Sequence, residues 1–171
     1  GGAGYVGCRL IPFLLEKNFK IIVYDVMFFT SKFLPHHKNL EVVEGDIRDL
    51  KKVDTYTKNC DYFLHLACIS NDNSFVLDEE LSTSINLNAF EPLVKIAKKN
   101  GVKRFIYAST SSVYGISEAK NINEDHPLVP ITLYNKYKGM CEPLLFQHTD
   151  DSFEGVVFRP ATVCGYSPRQ R

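Results

Sequence analysis

The chain has no excess of either charge: 20 Lys and Arg stand against 20 Asp and Glu over 171 residues. That balance removes the usual electrostatic reason to expect nucleic acid or an anionic membrane as a partner. No apolar run approaches the roughly 20 residues of a membrane span. Cysteine pairs spaced C-x-x-C are also missing. The five cysteines (8, 60, 68, 141 and 164) are odd in number, so reduced thiols in a cytoplasmic setting are expected, rather than a disulfide framework or a zinc site. His36 and His37 are adjacent in a polar loop, poor geometry for a closed metal site, and no metal is expected. Internal repeats and low-complexity tracts are absent. What is present is 44% hydrophobic residues in a chain long enough to bury one sizeable core.

Apolar strand-like runs alternate with helical periodicities. Lys20–Asp25, Leu40–Val43, Asp61–Leu66, Arg104–Ser109 and Gly155–Phe158 read as strands. Leu81–Lys99 reads as one long helix with Ile85, Ala89, Leu93 and Ile96 on one side. Lys95, Lys98 and Lys99 crowd its C-terminal end, where the helix dipole favours cations. Pro92 should bend that helix or fit a local break. Such alternation implies an α/β fold with a doubly wound parallel sheet. No strand precedes the opening glycine turn, although a phosphate-binding turn of this kind normally follows one. The expectation is therefore a sheet lacking its first strand, in a piece of a longer chain, with residues 1–165 one domain and 166–171 the start of another.

Gly1-Gly-Ala-Gly-Tyr-Val-Gly7 runs directly into an apolar stretch in which Val6, Leu10, Phe13 and Leu14 fall at helical spacing. A glycine-rich turn at a helix N-terminus exposes backbone N–H groups and the positive end of the dipole, a ready site for a pyrophosphate. Gly1 and Gly4 allow the turn and the close approach; Gly7 lets the helix pack on the sheet. Alone, the pattern is also compatible with a flexible turn. Asp25 closes the next strand 18 residues after Gly7, close to the spacing at which an acid meets the adenosine ribose hydroxyls. A carboxylate there accepts from two hydroxyls and repels a 2′-phosphate, which favours NAD over NADP.

Tyr134 and Lys138 lie at i and i+4 in LYNKYKG, on one helix face. An ammonium beneath a phenol stabilises the phenolate, so the tyrosine can act as a base. Thr110, 24 residues earlier in RFIYASTSSVYG, is placed to hold the substrate oxygen that Tyr134 deprotonates. By itself, Y-x-x-x-K is equally an exposed helix face. The remaining polar positions have ordinary readings too: Asp46 a turn acid, His65 a packed core residue, Asn86 a helix-surface group, Glu142 a solvated face, Tyr114 a packing residue.

In order, GGAGYVG, Asp25, GDIRD, HLA, Asn86, ASTSSVYG, YNKYK and FRPATVCG resemble the N-terminal, cofactor-binding part of an extended short-chain dehydrogenase/reductase, specifically the NAD-dependent sugar-nucleotide epimerase/dehydratase family. The resemblance runs from Gly1 to about Gly165. It implies a Rossmann-like domain that binds NAD. The loop residues Gly1, Gly4, Tyr5, Val6 and Gly7, with Asp25, would bind the dinucleotide. Asp46 and Ile47 would hold the adenine, and Leu66 and Ala67 would line the channel. Asn86 and Pro160 would sit beside the cofactor, and Lys138 would hold the nicotinamide ribose. Ser111, Ser112 and Thr162 would face a nucleotide-sugar substrate.

The catalytic set implied is Thr110, Tyr134 and Lys138. The two positions after the threonine, where a 4,6-dehydratase of this kind carries an acid and a base, are Ser111 and Ser112, neither a usable acid at neutral pH. An epimerase working through a transient ketone is thereby placed ahead of a dehydratase. A nucleotide-sugar reductase or dehydrogenase stays open, as does a non-catalytic NAD-binding module. Tyr137 replaces the small residue usual before the lysine. The resemblance also implies a homodimer paired through Leu81–Lys99 and Tyr134–His148.

Overall fold

The computed structural model describes residues 1–70 and 72–169; Gln170 and Arg171, which end the 166–171 stretch, lie outside them. Five short strands, β1 (Ile21–Asp25), β2 (Leu40–Glu44), β3 (Tyr62–His65), β4 (Arg104–Ala108) and β5 (Glu154–Phe158), each start and stop within a residue of the expected segments. All pairings are parallel. β1 lies beside β2 with Val23 opposite Val42, and β4 lies between β3 and β5 with Ile106 opposite Leu64 and Val156. The result is a two-stranded and a three-stranded sheet, with no ladder joining them among the described residues.

Helices cover the strands from both sides, as a doubly wound fold requires. Helix α1 (Gly7–Glu16) packs Cys8, Ile11 and Leu15 against Ala3, Val23 and Leu34, with Ile21 at the edge. On the other side, Tyr24 of β1 and Phe63 of β3 meet one cluster built from Ile47, Val53, Ala89 and Leu93. Val53 comes from α2 (Leu50–Thr57), whose N-cap Asp49 accepts the Lys52 N–H at 3.1 Å. That shared cluster ties the two sheets together through side chains.

The buried face of α1 differs from the expected one. Val6 and Phe13 are exposed, and the sheet-facing stripe is Cys8, Ile11 and Leu15. The segment is apolar almost all round, so periodicity could not choose the face. The choice is made by Gly7, where a Cβ would collide with the Gly2 carbonyl.

The long helix expected over Leu81–Lys99 is divided. After α3 (Asp72–Leu77), α4 (Glu79–Thr83) runs into a π-helical turn, Ser84–Asn88, and then α5 (Phe90–Lys99). The wide turn is closed by the Ala89 N–H on the Ser84 carbonyl at 3.1 Å. Pro92 therefore falls in the first turn of α5, where its missing N–H has no intrahelical acceptor to lose. The proline is accommodated by restarting the helix.

Phe90, Val94 and Ala97 of α5 and Cys141 and Leu145 of α6 (Leu133–Phe146) close over Phe105 and Tyr107 of β4, with Phe153 beneath. Phe63 stacks on Phe105 with ring centroids 4.8 Å apart. No described helix is long and apolar enough to cross a membrane. Because Phe105 is wholly buried at the centre of this packing, Phe105→Ala is expected to cost about 3–5 kcal/mol of folding stability. Chemical denaturation checks this, and a loss below about 1 kcal/mol would show that this cluster does not organise the fold.

Candidate active site

The carboxyl ends of the parallel strands carry the sequence-predicted residues, the place where open α/β sheets bind ligands. Asp25 ends β1 and clasps the glycine loop. One carboxylate oxygen accepts the Ala3 N–H at 3.0 Å and the other the Met27 N–H at 2.9 Å. Gly1 lies between strand ends: its nitrogen donates to the Tyr24 carbonyl at 2.8 Å, and a Cβ on it would collide with the backbone of Leu66 and Ala67. Gly1 and Gly7 are thus demanded by the chain's own packing. Gly4 is different, since a Cβ there would meet only the Gly1 carbonyl oxygen, at 3.3 Å. A glycine on which internal packing presses least, at the mouth of a helix N-terminus, fits a turn that faces an external phosphate.

Tyr5 reaches the other way. Its hydroxyl donates to the Gly165 carbonyl, and its carbonyl accepts from Ser167 Oγ at 2.8 Å, tying the loop to the end of the described chain. Val6 is exposed beside it. Beyond β2, Asp46 is gripped by Arg48, with Nη2 to Oδ2 at 2.6 Å, which holds its carboxyl below the ordinary carboxylate range. Its carbonyl accepts from the Tyr24 hydroxyl at 3.0 Å, and neighbouring Ile47 is buried.

Asn86 is neither a helix-surface group nor turned outward. It is buried in the π-helical turn, where Oδ1 accepts the Ile69 N–H and Nδ2 donates to the Ile69 carbonyl, both at 2.9 Å. Its side-chain amide holds the loop after β3 in place. Its effect on a cofactor would pass through that loop, which follows Leu66 and Ala67.

Thr110 caps the short 3₁₀ turn Ser111–Tyr114, accepting the Ser112 N–H on Oγ1 at 3.2 Å. A hydroxyl that accepts in this way keeps its proton for another acceptor. The backbone on both sides of Thr110 is stitched to the extension of β5: the Ser109 N–H donates to Phe158 and the Ser111 N–H to Pro160, at 2.8 and 2.9 Å. Ser112 and Thr162 are exposed.

Thr132 caps α6, its Oγ1 accepting the Asn135 N–H at 3.2 Å, so Tyr134 sits in the first turn and Lys138 one turn on. Lys138 is only 5% exposed. Its ammonium donates to the Ala108 carbonyl at 2.6 Å and lies 5.9 Å from the Tyr134 ring centroid and 5.0 Å from that of Tyr107. Two phenols therefore flank one cation. Tyr107 is buried at the end of β4, and burial pushes its pKa far up, so it stays a phenol. Tyr134 is half-buried. His65 is a packed core residue, stacked on Tyr107 at 5.8 Å. Burial first, and then the Lys138 charge, lower its pKa from 6.5 to about 3. It is neutral at physiological pH and so adds no second positive charge beside the lysine.

Two residues that carry the geometry had no role assigned from the sequence. Glu142, expected on a solvated face, is buried at 3% exposure. It accepts Arg159 Nη2 at 2.6 Å, Arg159 Nε at 3.1 and 3.2 Å, and Ser109 Oγ at 2.6 Å. Arg159 also donates to the Tyr114 hydroxyl at 2.8 Å and the Glu124 carbonyl at 3.1 Å. The available signal was spacing: Tyr134, Lys138 and Glu142 at i, i+4 and i+8 share one face of α6.

The family model described as "NAD dependent epimerase/dehydratase family" matches residues 1–171. The chain belongs to this family. Over 96% of its length it is 30% identical to a 3 beta-hydroxysteroid dehydrogenase/Delta 5-->4-isomerase of Mycobacterium tuberculosis, covering 46% of that protein. It is 29% identical over its whole length to UDP-arabinose 4-epimerase 1 of Arabidopsis thaliana, covering 43%. To the human dTDP-D-glucose 4,6-dehydratase it is 31% identical, with 99% and 51% of the two chains aligned. Among solved structures, UDP-glucose 4-epimerase of Thermotoga maritima with UDP-glucose superposes with a TM-score of 0.89 at 26% identity, over all of this chain and 56% of that one. MoeE5 in complex with UDP-glucuronic acid and NAD gives 0.86 at 27%, over all of this chain and 55% of that one. The chain spans about half the length of the curated relatives it matches.

His65 yields a pH dependence. Its folded pKa lies below its unfolded value, so the unfolded chain takes up a proton that the folded one refuses. Its stabilising contribution is full above pH 6.5 and is lost progressively down to about pH 3. The expected slope approaches about 1.4 kcal/mol per pH unit within that window. Denaturation midpoints of wild type and His65→Phe between pH 6.5 and 4.5 test this. The variant should be flatter, and an identical slope would show that His65 titrates alike in both states.

Proposed function

We propose that this chain is the NAD-binding and catalytic part, residues 1–165, of an epimerase that inverts a secondary alcohol on a nucleotide-activated sugar through a transient ketone. The observation that carries the reading is the Lys138 ammonium. It is buried and pinned to the end of β4 by Ala108, and it lies between a phenol too buried to ionise and a second, half-buried one. The residues after 165 would begin the part of the protein that reads the sugar.

The glycine loop and the N-terminus of α1 would hold the pyrophosphate, with Asp25 near the adenosine ribose and Asp46, Ile47, Leu66 and Ala67 along the channel. Bound there, NAD supplies a reversible hydride acceptor for the carbinol carbon. Tyr134, as phenolate, takes the hydroxyl proton of the substrate and later returns it. Lys138 favours that phenolate, and Thr110 donates its hydroxyl proton to the same substrate oxygen. Ser111 and Ser112 bring hydroxyls to the substrate but no acid for eliminating water, which sets the reading apart from a dehydratase.

A simple dehydrogenase remains the second reading. The same three residues suffice to oxidise a secondary alcohol, and a hydroxysteroid dehydrogenase matches nearly all of the chain. Exposed Leu133 and Met140, two turns apart on α6, support pairing into a homodimer. The five unpaired thiols support a cytoplasmic setting.

The test is turnover of the full-length protein with NAD on a panel of UDP- and dTDP-sugars and a 3β-hydroxysteroid. An epimerase scrambles configuration without net cofactor reduction; a dehydrogenase accumulates reduced cofactor stoichiometrically. Tyr134→Phe should lose about 10²- to 10⁴-fold in kcat while binding NAD as before. Retention of the wild-type rate in that variant would overturn the catalytic assignment.

A further inference from the structure

Glu142 and Arg159 are the pair that the proposed chemistry does not use, although they are among the most heavily bonded side chains near it. Glu142 stands one turn beyond Lys138 on α6. Its carboxylate bonds the hydroxyl of Ser109, the residue before Thr110, and the guanidinium of Arg159, the residue after β5. Arg159 in turn bonds Tyr114, at the far end of the 3₁₀ turn that Thr110 caps. One carboxylate therefore joins the helix carrying Tyr134 and Lys138 to the strand ends that carry Thr110. Backbone bonds from Ser109 to Phe158 and from Ser111 to Pro160 flank the joint.

The joint also has an electrostatic side. A bare carboxylate one turn from Lys138 would compete with Tyr134 for the ammonium. Arg159 occupies both oxygens, and the positive charge of Lys138 stays directed at the two phenols.

We propose that Glu142 and Arg159 act as positioning residues: a charge-neutral clamp that fixes Thr110 against the Tyr134–Lys138 face and keeps the lysine from pairing with a carboxylate. This rests on the reading of Tyr134 as the base. The other ionisable groups near the face are either held neutral or engaged away from the lysine. Tyr107 of β4, Cys141 of α6 and His65 of β3 are each held in the neutral form by burial, and Tyr114 of the 3₁₀ turn has His126 at its ring edge. On α5, Glu91 is engaged by Lys95 and His148. The acid of α3, Asp72, is exposed.

The experiment is direct titration of Tyr134 in the full-length protein by NMR of ring-labelled tyrosine, assigned by the signal lost in Tyr134→Phe, alongside kcat and KM. Glu142→Gln leaves Arg159 unbalanced and should lower the Tyr134 midpoint. Arg159→Met frees the carboxylate and should raise it. Each shift is expected to be on the order of one pH unit, and the double variant should return close to wild type. Ser109→Ala removes one bond without changing charge. It should leave the midpoint in place and lower kcat roughly tenfold with KM nearly unchanged, because Thr110 is displaced.

Opposite shifts that cancel in the double variant support the clamp. Shifts of the same sign, or none in folded variants, overturn it. If Glu142→Gln and Arg159→Met fail to fold, Ser109→Ala decides: an unchanged kcat overturns the clamp. If wild type turns nothing over, the enzymatic reading fails and the titration still judges the clamp on its own.

Discussion

A lysine ammonium sealed into a protein core must be satisfied or it will not stay charged. Among the described residues, Lys138 donates to a strand-end carbonyl, that of Ala108, and is in no ion pair with an acid. The consequence is a cation whose field is spent on aromatic neighbours. The surroundings are consistent with this: the groups that could otherwise neutralise it are held uncharged or are paired elsewhere. Tyr107 and Cys141 are kept neutral by burial, and Glu142 is taken by Arg159. The rest of the structure places that cation. The Thr132 cap sets where α6 begins, and the aromatic core of Phe90, Phe105, Tyr107 and Phe153 sets how α6 lies over β4.

The cofactor side is built by close backbone approach. Gly1 and Gly7 are present because the chain passes too near itself for a side chain, whereas at Gly4 a side chain would press only on the Gly1 carbonyl oxygen. Asp25 bonds the glycine loop and the turn after β1 together, so the acid expected to meet a ribose also shapes its own surroundings. Asn86 shows the same economy at β3, where both ends of its amide are used to hold Ile69. The π-helical turn that carries it arises in a segment that must also accommodate Pro92.

Much of this was legible in the residues. The five strands declare themselves because buried parallel strands are short apolar runs, and the i, i+4 spacing of Tyr134 and Lys138 does put the ammonium beside the phenol ring, 5.9 Å from its centroid. What was not legible depends on distance along the chain. Glu142 and Arg159 are 17 residues apart and meet only once β5 lies beside β4. An acid on a helix that ends in water and one that ends in a buried pair look identical in sequence. The sheet-facing side of α1 was hidden because the helix is apolar on nearly every side. The break in the long helix followed from Pro92, but its position one turn earlier required the π turn.

The central claim is that the buried ammonium of Lys138 makes Tyr134 a base. The most direct measurement is the ionisation midpoint of the Tyr134 phenol in the folded full-length protein, compared between wild type and Lys138→Met. The account predicts a midpoint at least about one pH unit higher in the variant, with the Tyr107 resonance remaining that of a phenol in both. An unchanged midpoint would contradict it and leave Tyr134 an ordinary tyrosine beside a nucleotide-binding fold.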